Sequence, residues 1–240
     1  LSLVPYWVLY GISNFLTFVF YYLFPYRKKV VLQNLKNSFP NKSEKEINEI
    51  CKKFYSHLCD LIVESVKLFS ISNEQILKRF KVNNPEILQP YFDRGQSLII
   101  VGGHYNNWEM LAAGIDQQVP HDTVGLYSKL SNAFFDDKMK SSRSAFGLRM
   151  VTSKDSFVYF KEKHDIPRMT IFGADQSPTY SKSVYWTTFL NQETAVALGT
   201  ERFAKKYDMP VIYATINKEK RGHFSLDISI LCESPQHTKE

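Results

Sequence analysis

Residues Leu1 to Tyr26 carry no Asp, Glu, Lys or Arg, and no other stretch limits the fold as strongly. A helix needs about 20 mostly apolar residues to cross the hydrocarbon core of a bilayer. The run LSLVPYWVLYGISNFLTFVFYYLFPY is longer than that. It ends in aromatic residues and then Arg27, Lys28 and Lys29, the order of an interfacial aromatic belt followed by a positive cytoplasmic flank. A secretory signal has its charge before the apolar core and a small-residue cleavage site after it, and neither is visible here. Pro5, Gly11, Ser13, Asn14 and Thr17 dilute the run. It is therefore expected to anchor the chain to a membrane by crossing the bilayer or lying in its interface, with packing on the domain as the third reading.

The remaining residues read as a globular chain: 44% of the 240 residues are hydrophobic and 22% charged, which excludes a disordered or fibrous protein. The formal net charge of +6 favours acidic partners, whether nucleic acid, anionic headgroups or an acidic protein. Lys and Arg are spread along the chain without a recognition motif, which argues against nucleic acid. Cys51 and Cys59 fall on one expected helix, about 12 Å apart and beyond disulfide reach. With Cys232, these unpaired thiols suit a reducing compartment.

Three regions follow: an apolar anchoring segment over 1–26, a basic flank and amphipathic helical region over 27–82, and an α/β core over 83–240. In the second, Ser43 and Glu46 form a capping box. Ile47, Ile50, Phe54, Leu58, Leu61, Ile62, Val66 and Phe69 then recur at helical spacing, predicting about seven turns. In the third, SLIIV (97–101), Thr123–Tyr127, Leu148–Val151 and Arg168–Gly173 read as strands. Helices are expected from Asn106 or Asn107, over Asn132–Phe146, around Phe157–Phe160 and over Ala195–Tyr207. MPVIYATI and HFSLDISIL read as a closing hairpin. Strands alternating with helices imply a largely parallel, helix-covered sheet. Ligands bind such sheets beyond the carboxyl ends of the strands.

The first of those loops reads Val101-Gly102-Gly103-His104-Tyr105-Asn106-Asn107-Trp108-Glu109. Histidine is the usual general base near neutral pH, and a carboxylate on its second nitrogen fixes the tautomer. The two glycines allow a sharp turn and close substrate approach. On spacing and location alone, His104 and Glu109 are as consistent with a structural histidine and a first-turn helix charge as with a general base and its orienting acid. Asp175 and Gln176, after the fourth strand, are candidates for substrate binding or site architecture. Tyr127 and Lys129, after the second strand, are candidate phosphate contacts. Arg143, on the helix that follows, is the candidate to stabilise an oxyanion, with the amides after His104 as an alternative. No GxSxG elbow, P-loop, GxGxxG or HExxH occurs, and no metal or cofactor is called for.

The stretch GGHYNNWE resembles the histidine-x4-acid motif of the lysophospholipid acyltransferase superfamily. In the order YRKKVVLQNLKNSFP, DLIVESVKL, the His block, FGADQSP and TTFLNQETAVALGTERFAKKYDMPVIYA, nearly the whole chain resembles the lipid A lauroyl/myristoyl acyltransferase branch. The resemblance implies a glycerolipid acyltransferase-like fold with a membrane-associated helical arm. It implies transfer of a fatty acyl chain from an acyl carrier protein thioester to a hydroxyl of a lipid A precursor, with His104 as base oriented by Glu109. It also implies a bacterial inner-membrane location with the site facing the cytoplasm. The alternatives are acyl transfer to another lipid acceptor, such as a glycerolipid or an amino-acid lipid, or a lapsed lipid-binding protein. Both ends of the chain are expected to be trimmed relative to a parent of that branch.

Overall fold

The computed structural model describes residues 1–178 and 184–238, which form two compact units. The first comprises Leu1–Ser70 and Val184–Val196, the second Ile71–Ser183 and Ala197–Glu240.

In the first unit the uncharged run forms α1 (Tyr6–Phe18), which continues through a single π-helical segment at Val19–Leu23. After Arg27, α2 (Lys28–Ser38) leaves at 86° to the helix before it. Among the described residues no single helix is long and apolar enough to cross a membrane, although this bent pair meets the requirement in length and composition. Helix α3 (Glu44–Leu68) starts at the expected capping box: the Glu46 amide donates to Ser43 Oγ, and Glu46 Oε2 accepts from the Ser43 amide at 2.8 Å. Its buried stripe includes Ile47, Cys51, Tyr55, Cys59 and Val63, so the helix forms as expected but buries a neighbouring face: of the eight apolar residues at helical spacing only Ile47 is buried, and Phe54, Ile62 and Phe69 are exposed.

Helices α1 and α3 are joined by polar contacts as well as by packing. Ser13 Oγ donates to Asp60 Oδ1 at 2.7 Å, and Tyr10 OH donates to Glu64 Oε1 at 2.9 Å. Lys67 Nζ donates to the carbonyls of Ser2 and Val4. Ser13, Asp60, Glu64 and Lys67 are all buried. Burying such groups is tolerable only when each is hydrogen-bonded. The polar residues that dilute the apolar run thus have a partner helix.

The hairpin β6 (Val184–Phe189) and β7 (Gln192–Ala197) belongs largely to this unit. The sequence pattern predicted a helix starting at Ala195. Instead, Leu190 and Asn191 both adopt positive φ, the conformation of a two-residue hairpin turn matched to strand twist. Asn191 Nδ2 donates to the Ser38 carbonyl, and Asn37 Nδ2 to Gln192 Oε1. Helix α9 (Gly199–Tyr207) begins only after the hairpin.

The second unit carries a seven-stranded sheet built from β1 (Phe80–Val82), β2 (Leu98–Gly102), β3 (Asp122–Tyr127), β4 (Arg149–Thr152), β5 (Arg168–Gly173), β8 (Val211–Lys220) and β9 (His223–Cys232). The order is β1-β9-β8-β2-β5-β3-β4. Every pairing is parallel except the β8–β9 hairpin. The mixed α/β fold with a mostly parallel sheet is therefore as expected, and the short edge strand β1 is an addition to it. Leu98, Ile99 and Ile100 on β2 are essentially buried, as a central parallel strand covered on both faces requires. Helices α4 (Asn73–Arg79), α6 (Trp108–Gly114), α7 (Ala133–Ser144) and α9 accompany the sheet, with short turns α5 (Gln89–Asp93) and α8 (Ser156–Tyr159). Asn107 and Asn132 cap α6 and α7 through their side chains.

Gly147, between α7 and β4, has φ +115° and no room for a side chain: an added Cβ would overlap Asp116 Oδ2. Asp116 Oδ1 in turn accepts from the Thr123 amide and hydroxyl at the start of β3. Gly147→Ala is expected to displace that carboxylate and to lower stability by about 1–3 kcal/mol. Urea unfolding should show a lower midpoint at unchanged slope.

Candidate active site

The site lies beyond the carboxyl ends of β2 and β5. These neighbours pair in parallel with Gly102 opposite Gly173, and the Ala174 amide donates to the Gly102 carbonyl at 2.9 Å, one residue past the strand. The two chains therefore leave the sheet at the same level, and His104 and Asp175 meet. His104 Nδ1 lies 2.7 Å from Asp175 Oδ1, and the His104 amide donates to Asp175 Oδ2 at 2.8 Å. One carboxylate holds both the ring and the backbone of the histidine. Gly173 makes room for this arrangement: a Cβ there would stand 2.7 Å from His104 Cε1. The Trp108 ring meets the imidazole edge-on at 5.2 Å between centroids.

Burial raises the Asp175 pKa, but the hydrogen bonds from the His104 ring and amide outweigh it and hold the group below the ordinary carboxylate value. A depressed carboxylate contributes stability above its unfolded pKa. That contribution is lost as pH falls through the folded value. The pair is therefore intact throughout the neutral range.

Glu109 takes a different partner from the one its spacing suggests. It sits in the first turn of α6, buried, and its carboxylate faces α7. Arg143 Nε donates to Glu109 Oε2 at 2.8 Å and an Arg143 terminal nitrogen donates to Oε1 at 2.6 Å. The Trp108 indole donates to the same Oε1 at 3.1 Å. Such a two-pronged guanidinium–carboxylate contact fixes direction as well as charge. The Glu109 hydrogen bonds raise the Arg143 pKa against the opposing effect of its burial, so the guanidinium stays charged. The carboxylate on the imidazole is thus that of Asp175, reached across the strand register, while Glu109 anchors Arg143.

Two cavities open from this point. The inner one, about 130 Å³, is lined by Ile100, Leu111, Leu126, Met150 and Ile171, with His104 and Arg143 among its polar side chains. The outer one, about 1190 Å³, is shared by His104, Arg143, Tyr127 and Gln176 and is walled on one side by Arg202, Lys205 and Lys206. The structure thus brings together His104, Glu109, Arg143, Asp175, Gln176 and Tyr127. Lys129 is exposed on the loop after β3 and lines neither cavity. The three basic residues of α9 were not singled out from the sequence. Their i, i+3, i+4 spacing in ERFAKK was the available signal, since it places them on one helix face.

At the end of a parallel strand, His104 thus stands between a mostly apolar slot and a groove with a cationic wall. The family described as bacterial lipid A biosynthesis acyltransferase matches residues 1–238, and the chain belongs to it. The protein is accordingly an acyltransferase of lipid A biosynthesis. No individual curated protein matches the chain.

Because Glu109 and Arg143 satisfy each other in a largely buried setting, substitutions at the two positions should not be additive. Glu109→Gln and Arg143→Met are each expected to destabilise. The double variant should fall short of their sum by about 1–3 kcal/mol in a double-mutant cycle. Additive losses would show that the pair contributes no coupling.

Proposed function

We propose that the chain transfers a fatty acyl group from an acyl carrier protein thioester to a hydroxyl of a lipid A precursor, with His104 as general base. The observation that carries this reading is the 2.7 Å contact of His104 Nδ1 with Asp175. It leaves Nε2 as the nitrogen for substrate. In this reading the acceptor hydroxyl gives its proton to Nε2 while its oxygen attacks the thioester carbonyl. The tetrahedral oxyanion is met by the N–H groups of Arg143 that Glu109 does not occupy. Collapse expels the thiolate of the carrier, which takes the proton back from the imidazolium. Asp175 orients the ring and stabilises its cationic form, and Glu109 acts on the chemistry through Arg143.

The two cavities divide the substrates by chemistry. The inner apolar slot suits the acyl chain. The outer groove, with Arg202, Lys205, Lys206, Tyr127 and Gln176, suits the phosphate-bearing parts of the acceptor and of the donor's prosthetic arm. The net charge of +6 favours docking of an acidic carrier. An inner-membrane location, with the site on the cytoplasmic side and the uncharged amino-terminal helix as anchor, completes the reading.

Assays of the purified protein with acyl carrier protein thioesters test this directly. Turnover is expected with a lipid A precursor. Turnover confined to glycerolipid or amino-acid lipid acceptors would overturn the acceptor assignment. His104→Ala should lower kcat by at least about 10²-fold. Asp175→Asn should also lower it, because the ring loses the carboxylate that orients it, and Glu109→Ala should lower it through the loss of the Arg143 anchor. Near wild-type turnover of Asp175→Asn would overturn the role given to that carboxylate.

A further inference from the structure

We infer that the amino-terminal helix lies in the plane of the membrane surface with one aromatic face immersed, and does not cross the bilayer. The inference rests on the proposed membrane anchoring and fixes its geometry. Trp7, Gly11, Asn14, Phe15, Phe18 and Tyr22 are exposed on α1 and its continuation; at 100° per residue these six share one side of the helix, and Leu23 is exposed at its last residue. Leu9 and Ser13, on the other side, are buried.

Connectivity excludes a crossing. Contacts of α1 with α3 run antiparallel along nearly the full length of the apolar helix. The Tyr55 hydroxyl donates to the Tyr26 carbonyl at one end, Asp60 and Glu64 take Ser13 and Tyr10 in the middle, and Lys67 and Ser70 reach the Ser2 carbonyl at the other. If α1 crossed a bilayer, α3 would cross beside it. The carboxylates of Asp60 and Glu64 would then lie at membrane depth, where ionisable groups are strongly disfavoured. Ser70, level with Ser2, would emerge on the far surface. Helix α2, turned by 86°, and the β6–β7 hairpin bonded to Asn37 and Ser38 would remain on the near one. Yet Ile71, which follows Ser70, and Ala197, which follows Val196 of the hairpin, both belong to the second unit, in whose single sheet β2 pairs with β5 and with β8. A single sheet cannot be joined to both sides of a bilayer at these two points. With α1 in the surface plane, the conflict disappears.

The occupant of the exposed aromatic face is then an anionic lipid surface. Arg27 and Lys29 are exposed beside it. Lys28 reaches back over the Tyr21 ring, 3.6 Å from its centroid, and to the Tyr21 carbonyl. Apolar burial combined with basic flanks is the combination that holds in-plane helices to anionic headgroups.

The test is the immersion depth of nitroxide labels on the full chain, reconstituted with vesicles of phosphatidylethanolamine and phosphatidylglycerol. Labels at W7C, F15C, F18C and Y22C, in a chain with Cys232→Ser, are read by their relative accessibility to oxygen and to a water-soluble nickel complex. All four are on the exposed face, so none disturbs the polar seam with α3. An in-plane helix predicts a common shallow depth, and a label at K53C should remain accessible to nickel. A crossing helix predicts a depth gradient spread over about 22 Å between positions 7 and 22, which would overturn the inference while leaving membrane anchoring intact. Four labels that all stay in water would instead remove the anchoring itself, and the in-plane geometry with it.

Discussion

The arrangement of the site depends on the parallel pairing of β2 with β5. Because Gly102 and Gly173 stand opposite each other, the chain after each strand turns away at one height, and the first polar side chains past the glycines converge. Asp175 then bonds both the ring and the amide of His104. A shift of one residue in that register would turn each side chain to the opposite face and separate the pair. The buried apolar strands of the sheet hold the register, so the packing of Leu98, Ile99, Ile100 and Met169 in the core is linked directly to the geometry of the His104–Asp175 pair. The absence of a Cβ at Gly173 matters for the same reason, since the imidazole occupies that space.

Around this pair the site separates charge by depth. The Glu109–Arg143 contact holds a permanent cation within reach of both cavities without a net charge deep in the sheet. Fixed dipoles and charges of this kind stabilise a developing oxyanion without reorganising when the reaction occurs. Farther out, α9 adds a cationic wall through Arg202 and Lys206, with Lys205 moderated by its 2.8 Å contact to Glu201. The gradient from an apolar slot to a cationic groove matches the amphipathic character of the substrates a lipid A acyltransferase joins.

Much of this was legible in local sequence. The capping box at Ser43, the asparagine caps of α6 and α7, the buried strand SLIIV and the closing β8–β9 hairpin all follow from short-range pattern. The site loops also emerged, because parallel sheets place ligands at strand carboxyl ends. What stayed hidden depends on long-range register. The acid five residues after His104 is close in sequence, but the first turn of α6 directs Glu109 to Arg143 instead. The acid on the imidazole is 71 residues away, and only the β2–β5 pairing brings it there. The β6–β7 hairpin was hidden for another reason: ETAVALG continues smoothly into a helical pattern, and the turn at Leu190 and Asn191 is marked by a single asparagine. Likewise, the polar residues of the amino-terminal run read as dilution of a span until α3 supplied Asp60, Glu64 and Lys67 as their partners.

The claim on which the account turns is that Asp175 fixes the tautomer of His104 and leaves Nε2 free to accept a proton. Nitrogen-15 spectroscopy of the ring, with His104 assigned by comparison with His104→Ala, measures this without substrate. Above the pH at which the imidazole is neutral, the account predicts a protonated Nδ1 and a bare Nε2, with that preference lost in Asp175→Asn. A protonated Nε2 in the wild-type protein, or a preference that survives Asp175→Asn but disappears in Glu109→Gln, would contradict it.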